Sequence, residues 1–215
     1  MKTKKILYAI PFIFLIFFII LTILLICTID YMETIDFVKK TGLIHLNGAF
    51  PYFEYNRILD KVSDAFMVIG VLIMLIMAGI GLYQLIKRRS IKKVDSDILL
   101  FGGIILLMIV VWIIFERCPI SYRPHSSASS YPSTHVMVVT TTFFIFSWMI
   151  NKRLHRIWVT ITTYLISSIA VVVTFILRMT SGMHWFTDCL GGVCIGFLFA
   201  STLISLDIAI KDKIK

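Results

Sequence analysis

Five polar side chains that could do chemistry are concentrated in two segments of the second half of the chain. Arg123 and His135 bound the first segment, and Arg178, His184 and Asp188 form the second. Arginine binds phosphate oxygens through two parallel N–H donors. A histidine held by a carboxylate has a fixed tautomer and a more basic free nitrogen, as a nucleophile requires. The set is typical of phosphoryl transfer through a covalent phosphohistidine, with a second histidine protonating the departing alkoxide.

The spacing of the second segment predicts a histidine–carboxylate pair. His184 and Asp188 are four residues apart and would share one face of a helix that begins near His184, after a turn at Gly182. Asp188 would then lie about one turn inside the membrane boundary. An ionisable group at that depth needs a partner, and His184 is the predicted one.

A second helix start is predicted at Pro132, because proline suits the first turn of a helix, where its missing N–H has no intrahelical partner to lose. Ser133, Thr134 and His135 follow it. The free backbone N–H groups of a helix N-terminus form a natural anion site. This segment therefore predicts an anion site that includes His135.

Two other kinds of site match the same residues less well. A metal site built from His135, His184 and Asp188 would lack a ligand spacing such as H-E-x-x-H. A serine nucleophile at Ser133 or Ser181 would lack the G-x-S-x-G turn. Phosphoryl transfer is therefore favoured over both alternatives.

Six long apolar stretches must position these residues. The composition is 59% hydrophobic and 15% charged, with a mean hydropathy of +0.93, and a soluble domain of this size cannot bury such an apolar excess. The stretches approach the roughly 20 residues that a helix needs to cross a bilayer, and they lack the alternation of barrel strands. The sequence thus predicts an all-α, six-transmembrane-helix bundle in one domain over residues 1–215. The predicted spans are 6–29, 65–86, 98–115, 132–150, 157–177 and 185–206.

The distribution of lysine and arginine predicts the orientation of the spans. Fourteen of the 21 lie on the side of both termini, and seven lie on the opposite side. Both termini are therefore predicted to face the cytoplasm, with the first span retained because it is longer than the core of a cleavable signal peptide. The net charge of +9 follows from this topology, so nucleic acid is not an expected partner.

This topology brings the chemical residues to the outer, extracytoplasmic interface of the membrane, where the third and fifth spans end and the fourth and sixth begin. Residues 30–64 lie on the same side. Their aromatic and charged composition favours either a short amphipathic helix at the headgroups or an ordinary connecting loop. The aromatic residues are Tyr31, Phe37, Phe50, Tyr52, Phe53 and Tyr55.

The motifs resemble those of the type 2 phosphatidic acid phosphatase (PAP2) superfamily of integral membrane lipid phosphatases. The family motifs are K-x6-R-P, P-S-G-H and S-R-x5-H-x3-D. This chain has R-P at 123–124, P-S-T-H at 132–135 and R-x5-H-x3-D at 178–188. The resemblance covers the chain from the third span onward, and it implies a phosphatase that uses no metal and no other cofactor.

The resemblance also implies a role for each matching residue. His184 would be the nucleophile, Asp188 its orienting partner and His135 the general acid for the leaving alcohol. The groups that would bind the phosphoryl oxygens are Arg123, Arg178, Ser133 and the backbone N–H of Thr134.

One departure from the family pattern concerns charge. Glu116 stands seven residues before Arg123, where the family has lysine. Arg117 is the candidate to supply the missing positive charge, because Pro119 breaks the helix just beyond it. If Arg117 stays outside the site, the affinity for phosphate should be lower.

Two other departures concern the backbone and a hydroxyl group. Thr134 replaces the family's glycine, which requires that the backbone there have no positive φ. Leu177 replaces the serine of the third motif, so Thr180 or Ser181 would have to supply the lost hydroxyl donor.

Three functions fit this sequence. The leading hypothesis is hydrolysis of a lipid phosphate or diphosphate at the outer face of a bacterial plasma membrane. The substrates considered are undecaprenyl diphosphate, phosphatidylglycerol phosphate and phosphatidic acid. The alternatives are phosphotransfer from one lipid to another acceptor through the same phosphohistidine, and a catalytically weak relative that binds anionic membrane lipids or partners.

Overall fold

The computed structural model describes residues 2–33, 38–51 and 53–214 of the 215-residue chain. Helices account for most of this part of the chain, and a two-stranded antiparallel hairpin follows the first of them. The helices are α1 (Lys2–Cys27), α2 (Ile44–Gly48), α3 (Arg57–Arg88), α4 (Ser96–Arg117), α5 (Thr134–Leu154), α6 (Ile157–Thr180) and α7 (Phe186–Ile214). The strands are β1 (Asp30–Glu33) and β2 (Val38–Thr41).

Within the described residues, six helices, all except α2, are long and apolar enough to cross a membrane. This confirms the predicted all-α fold with six membrane helices. The most apolar window of α5 is 61% buried, whereas those of α1 and α3 are 17% buried. α5 is therefore the central helix, and it packs against α3, α4, α6 and α7.

α5 and α7 approach each other closely along a small-residue stripe. A Cβ atom on Gly196 of α7 would overlap the side chain of Thr140 of α5, and one on Gly192 would overlap the carbonyl of Ser133. Small residues permit such close approach between membrane helices. The contact places the start of α7 beside the start of α5.

α3 begins at Arg57, eight residues before the predicted span. The side chain of Asn56 accepts hydrogen bonds from the backbone N–H groups of Ile58 and Leu59, at 3.0 and 3.1 Å. An asparagine cap of this kind stabilises the first turn of a helix. The added two turns lie outside the apolar stretch from which the span was predicted.

The other two helix starts at this end also differ from the prediction. Pro132 precedes α5 instead of occupying its first turn, and Ser133 takes the N-cap position before Thr134. α7 begins at Phe186, two residues after His184, and extends beyond the predicted end at residue 206. His184 therefore lies in the turn that leads into α7.

A hairpin and the five-residue helix α2 replace the predicted interfacial helix or loop before α3. Asn47 of α2 is buried, and its side-chain oxygen accepts from the backbone N–H of Thr187 at 3.2 Å. The carbonyl of Lys40 in β2 accepts from the backbone N–H of Tyr122 at 3.0 Å. The hairpin and α2 together form a small layer, and this layer therefore holds the start of α7 and the α4–α5 loop. Phe37 and Tyr52 lie outside the described residues.

A buried charge network joins three helices at the opposite end of the bundle. Lys152 of α5 lies between two fully buried carboxylates, 2.8 Å from Asp207 of α7 and 3.1 Å from Asp97 of α4. Arg153 Nη1 also contacts Asp97 at 2.8 Å. Buried carboxylates need such partners, so the network fixes how α4, α5 and α7 meet away from the predicted site.

Candidate active site

The residues predicted to carry chemistry come together at one end of the bundle. The α4–α5 loop supplies Arg123, the first turn of α5 supplies His135, and the last turn of α6 supplies Arg178. His184 and Asp188 flank the start of α7. Arg123, His135 and His184 line one cavity of about 450 Å³.

A serine that the motifs do not include connects His184 to Asp188. Nδ1 of His184 lies 3.7 Å from Oδ2 of Asp188, too long for a direct hydrogen bond. The hydroxyl of Ser130 donates to Asp188 Oδ2, and its oxygen lies 3.2 Å from Nδ1 of His184. All three side chains are almost completely buried. The predicted pairing of His184 with Asp188 is therefore indirect, because the hydroxyl of Ser130 lies between them.

The bridge fixes the tautomer of His184. A serine hydroxyl has one proton, and Ser130 gives it to Asp188. The contact between Ser130 and His184 must then be donated by Nδ1–H, which leaves the lone pair of Nε2 free. Burial first, and then the positive charges of Arg178 and Arg123, hold the pKa of His184 well below its usual value. At neutral pH the ring is therefore neutral, as a nucleophile requires.

Asp188 is also part of the helix start. Its Oδ2 accepts from the backbone N–H of Trp185 at 2.9 Å, three residues earlier. This contact is half of a capping box, which satisfies a donor at a helix N-terminus. The backbone carbonyl of Asp188 accepts from the N–H of Ser133 at 2.9 Å. One residue thus orients His184, caps α7 and links α7 to α5.

Arg178 is fully buried at the end of α6. Its Nη1 donates to Asp60 of α3 at 2.5 Å and to the hydroxyl of Ser63 at 3.1 Å. Nε and Nη2 have no hydrogen-bond partner among the described residues. An arginine with unpaired buried donors is poised to bind an anion.

Arg123 is held by a tightly folded loop. Its backbone N–H donates to the carbonyl of Ala128 at 3.0 Å, and its Nε donates to the carbonyl of Ser129 at 3.2 Å. Nδ1 of His125 contacts the carbonyl of Gly182 at 3.2 Å, which ties this loop to the α6–α7 turn. Gly182 has a φ of 70°, a conformation that favours glycine.

His135 faces the same cavity from α5, and its partner was not predicted. Its Nε2 lies 2.8 Å from Oδ1 of Asp64, in the second turn of α3. Thr134 lines the cavity beside it and, as its helical position requires, has no positive φ. The hydroxyl of Ser133 is buried with no hydrogen-bond partner in the described part of the chain.

Arg117 does not join the other predicted residues. It is exposed at the last residue of α4, whereas Glu116 lines a small cavity with Arg123, Ser130 and His184. The negative charge of Glu116 therefore faces the predicted anion site, without Arg117 opposing it there.

The hydroxyl groups of Thr180 and Ser181, which were the candidates to replace the family's serine, donate to backbone carbonyls of α6. Thr180 donates to the carbonyl of Ile176 at 2.8 Å, and Ser181 donates to the carbonyl of Arg178 at 3.2 Å. Both hydroxyls thus satisfy the end of α6. The hydroxyl that contacts Arg178 is that of Ser63 in α3.

Four side chains of the site are not among the residues predicted from the sequence: Ser130, Asp60, Ser63 and Asp64. Asp60 and Asp64 carry a usable signal, since they are four apart and follow the N-cap residue Asn56. Ser130 carries no comparable signal, because it reaches α7 through a contact between distant parts of the chain. Among the described residues, no group of three or more His, Cys, Asp or Glu side chains is arranged to hold a metal ion.

Fold and site together define a multi-pass membrane protein with a buried histidine–arginine pocket suited to an anionic group. A sequence model of the PAP2 superfamily matches residues 112–209, the part of the chain that contains this pocket. The chain belongs to the PAP2 superfamily, and this confirms the resemblance seen in its motifs.

The chain resembles a named protein and a crystal structure, both from Bacillus subtilis. It is 30% identical over 149 residues to phosphatidylglycerophosphatase B of strain 168, an alignment that covers 65% of this chain and 68% of that protein. The fold matches a crystal structure described as the first transmembrane PAP2-type phosphatidylglycerolphosphate phosphatase from this organism. That match has a TM-score of 0.61 and 22% identity, and it covers 96% of this chain and 98% of the other.

The bridging role of Ser130 predicts a specific loss of activity. Ser130→Ala should lower the kcat for a phosphate ester by about tenfold, because His184 loses the acceptor that fixes its tautomer. Ser129→Ala is the matched control, since the hydroxyl of Ser129 donates to the carbonyl of Phe115. Steady-state kinetics of the purified variants measure the effect. A wild-type kcat in Ser130→Ala would show that Asp188 orients His184 without this hydroxyl.

Proposed function

We propose that the protein is a metal-independent phosphatase that hydrolyses a lipid phosphate or diphosphate through a phosphohistidine at His184. The observation that carries this proposal is the 450 Å³ cavity, which joins an apolar groove between membrane helices to the two histidines. A lipid phosphate has the same division into an apolar tail and an anionic head.

The apolar part of the cavity is formed by three helices. α3 contributes Met67, Val71 and Met74, and α4 and α5 contribute further apolar side chains. The polar end is formed by Arg123, Thr134, His135 and His184. An acyl or prenyl chain in the groove would place its phosphate at the polar end. A soluble phosphate ester would gain nothing from the apolar part, so the cavity favours a lipid.

The proposed reaction has two steps that return the protein to its starting state. Nε2 of His184 forms a bond to phosphorus while the bond from phosphorus to the leaving oxygen breaks, and that oxygen takes a proton from His135. In the second step, water attacks the phosphorus and gives a proton to His135, and the N–P bond breaks to release inorganic phosphate. Arg123 and Arg178 stabilise the charge on the phosphoryl oxygens in both steps.

The headgroup is proposed from the relatives and the chemistry together. The names of the relative and of the crystal structure from B. subtilis both refer to a phosphatidylglycerophosphate phosphatase, which supports a terminal phosphate on a glycerolipid. Phosphatidylglycerol phosphate is therefore the first substrate to test. Phosphatidic acid and undecaprenyl diphosphate present the same anionic group at a membrane surface.

The decisive test compares the wild type with His184→Ala and His135→Ala in detergent, by phosphate release from these three lipids. His184→Ala should abolish release and also remove an acid-labile phosphoprotein trapped by rapid quenching, because the nucleophile is absent. His155→Asn, at an exposed histidine on the opposite end of the bundle, is the control and should keep full activity.

Each other outcome of this test identifies an alternative. Release that survives His184→Ala would overturn the proposed nucleophile. A dephosphorylated lipid product without free phosphate would indicate transfer to another acceptor. Absence of product from all three lipids would favour a lipid-binding relative without catalysis. Loss of the wild-type activity in EDTA would contradict metal independence.

The site is proposed to face the outside of the plasma membrane, with both termini in the cytoplasm. The excess of lysine and arginine on the side of the termini supports this orientation. Cys118 is exposed at the site end of the bundle. A membrane-impermeant maleimide should therefore label the protein in intact cells and should label Cys118→Ser less. Labelling of Cys118 only after the cells are broken would reverse the orientation.

Glu116 is expected to weaken the binding of an anionic substrate. Glu116→Lys should lower KM by about tenfold at low ionic strength, because it replaces a repulsive charge by an attractive one at the pocket. Glu116→Gln should act in the same direction but less strongly. The difference from wild type should shrink as salt is added. An increase of KM in Glu116→Lys would show that the carboxylate assists substrate binding.

A further inference from the structure

Two carboxylates of α3 directly contact two groups of the proposed reaction. Oδ1 of Asp60 lies 2.5 Å from Nη1 of Arg178, and Oδ1 of Asp64 lies 2.8 Å from Nε2 of His135. We propose that these carboxylates are positioning residues: Asp60 orients the arginine toward the phosphate, and Asp64 orients the second histidine toward the leaving oxygen. This inference rests on the proposed phosphatase function.

Arg178 is occupied on only one side of its guanidinium group. Nη1 is held by Asp60 and by Ser63, and Oδ1 of Asp64 lies 3.8 Å from it. Nε and Nη2 are buried without a hydrogen-bond partner among the described residues. Nε and Nη2 form one edge of the group, and such an edge binds two phosphate oxygens in parallel. By holding Nη1, Asp60 keeps this edge free for the substrate.

Asp60 is itself fixed at its second oxygen. The hydroxyl of Tyr55 donates to Oδ2 of Asp60 at 3.1 Å. The ring of Tyr55 stacks on His125, with ring centroids 4.7 Å apart. His125 is in turn held by Gly182, close to the end of α6. A carboxylate fixed at both oxygens can hold the guanidinium of Arg178 in one orientation.

Asp64 lies at the mouth of the site. Its side chain is 51% exposed, whereas that of His135 is 18% exposed. A carboxylate beside an imidazole stabilises the protonated ring, which is the form that gives a proton to the leaving oxygen. The contact also holds Nε2 in place and thereby sets the direction of the ring. Asp64 itself gains and loses no proton over the two steps, because His135 takes one back from water.

The two roles predict different dependence on the leaving group. Dioctanoyl phosphatidic acid releases an alkoxide that needs a proton, whereas p-nitrophenyl phosphate releases a stable phenolate that needs none. Asp64→Asn should lower kcat for phosphatidic acid by about tenfold or more and for the nitrophenyl ester by less than about threefold. A role in folding alone would lower both rates equally.

Asp60→Asn should instead affect both substrates alike and weaken the binding of orthovanadate, measured by direct titration of the purified protein, by about tenfold. Removal of a negative charge would by itself strengthen anion binding, so weaker vanadate binding reports lost orientation of Arg178. Glu54→Gln, which changes an exposed carboxylate in the segment before α3, is the control and should match wild type. The unfolding midpoint of each variant, measured in the same detergent, shows whether the variant is folded.

The outcomes separate this inference from the proposed function. Equal losses on both substrates in Asp64→Asn would overturn the role of Asp64. Tighter vanadate binding in Asp60→Asn would show that this carboxylate competes with phosphate instead of positioning Arg178. Suppose that the wild type hydrolyses lipid and needs His184 to do so, and that Asp60→Asn and Asp64→Asn both behave like the wild type. Then only the inference about α3 fails. If wild type turns over no phosphate ester while vanadate still binds, the phosphatase function fails, and the vanadate measurement alone decides the role of Asp60.

Discussion

Charged groups that are removed from water inside a membrane bundle must find partners in the protein, and this requirement organises the site. Arg178 is fully buried and is held by Asp60, while Asp188 is fully buried and is held by Ser130 and the backbone of Trp185. These partners come from α3, the α4–α5 loop and the turn before α7. The contacts that these charged groups do make therefore also fix how these elements meet, while Oδ1 of Asp188 and one edge of Arg178 have no hydrogen-bond partner among the described residues.

The hairpin and α2, which form the small layer outside the membrane helices, also help to position the site. The first N–H groups of a helix have no intrahelical partner and must be satisfied from elsewhere. In α7 the side chain of Asn47 accepts from Thr187, and Asp188 accepts from Trp185 just before the helix. Because His184 lies in the turn that these contacts hold, its position depends on residues from both halves of the chain. The hairpin and α2 thus help to position the proposed nucleophile.

Hydropathy and motif spacing predicted the six membrane helices and the convergence of the arginines and histidines, because both depend on local pattern and topology. The start of α3 was predicted eight residues late, since the apolar stretch begins after the two polar turns that carry Asp60 and Asp64. The bridge through Ser130 was missed for another reason: a hydrogen bond between residues 58 positions apart leaves no periodic trace in the sequence. Arg117 was expected to turn inward, but the last turn of α4 leaves it exposed.

The two ends of the bundle differ in how completely their buried charged side chains are paired. At the far end, Lys152 lies between Asp97 and Asp207, so its charge is balanced within the protein. At the site end, Arg178 is buried more deeply than Lys152, yet one edge of its guanidinium has no hydrogen-bond partner among the described residues. An arginine needed only for stability would gain from being paired as fully as Lys152. The free edge thus favours an anionic ligand on physical grounds alone, independently of the motifs that led to the same pocket.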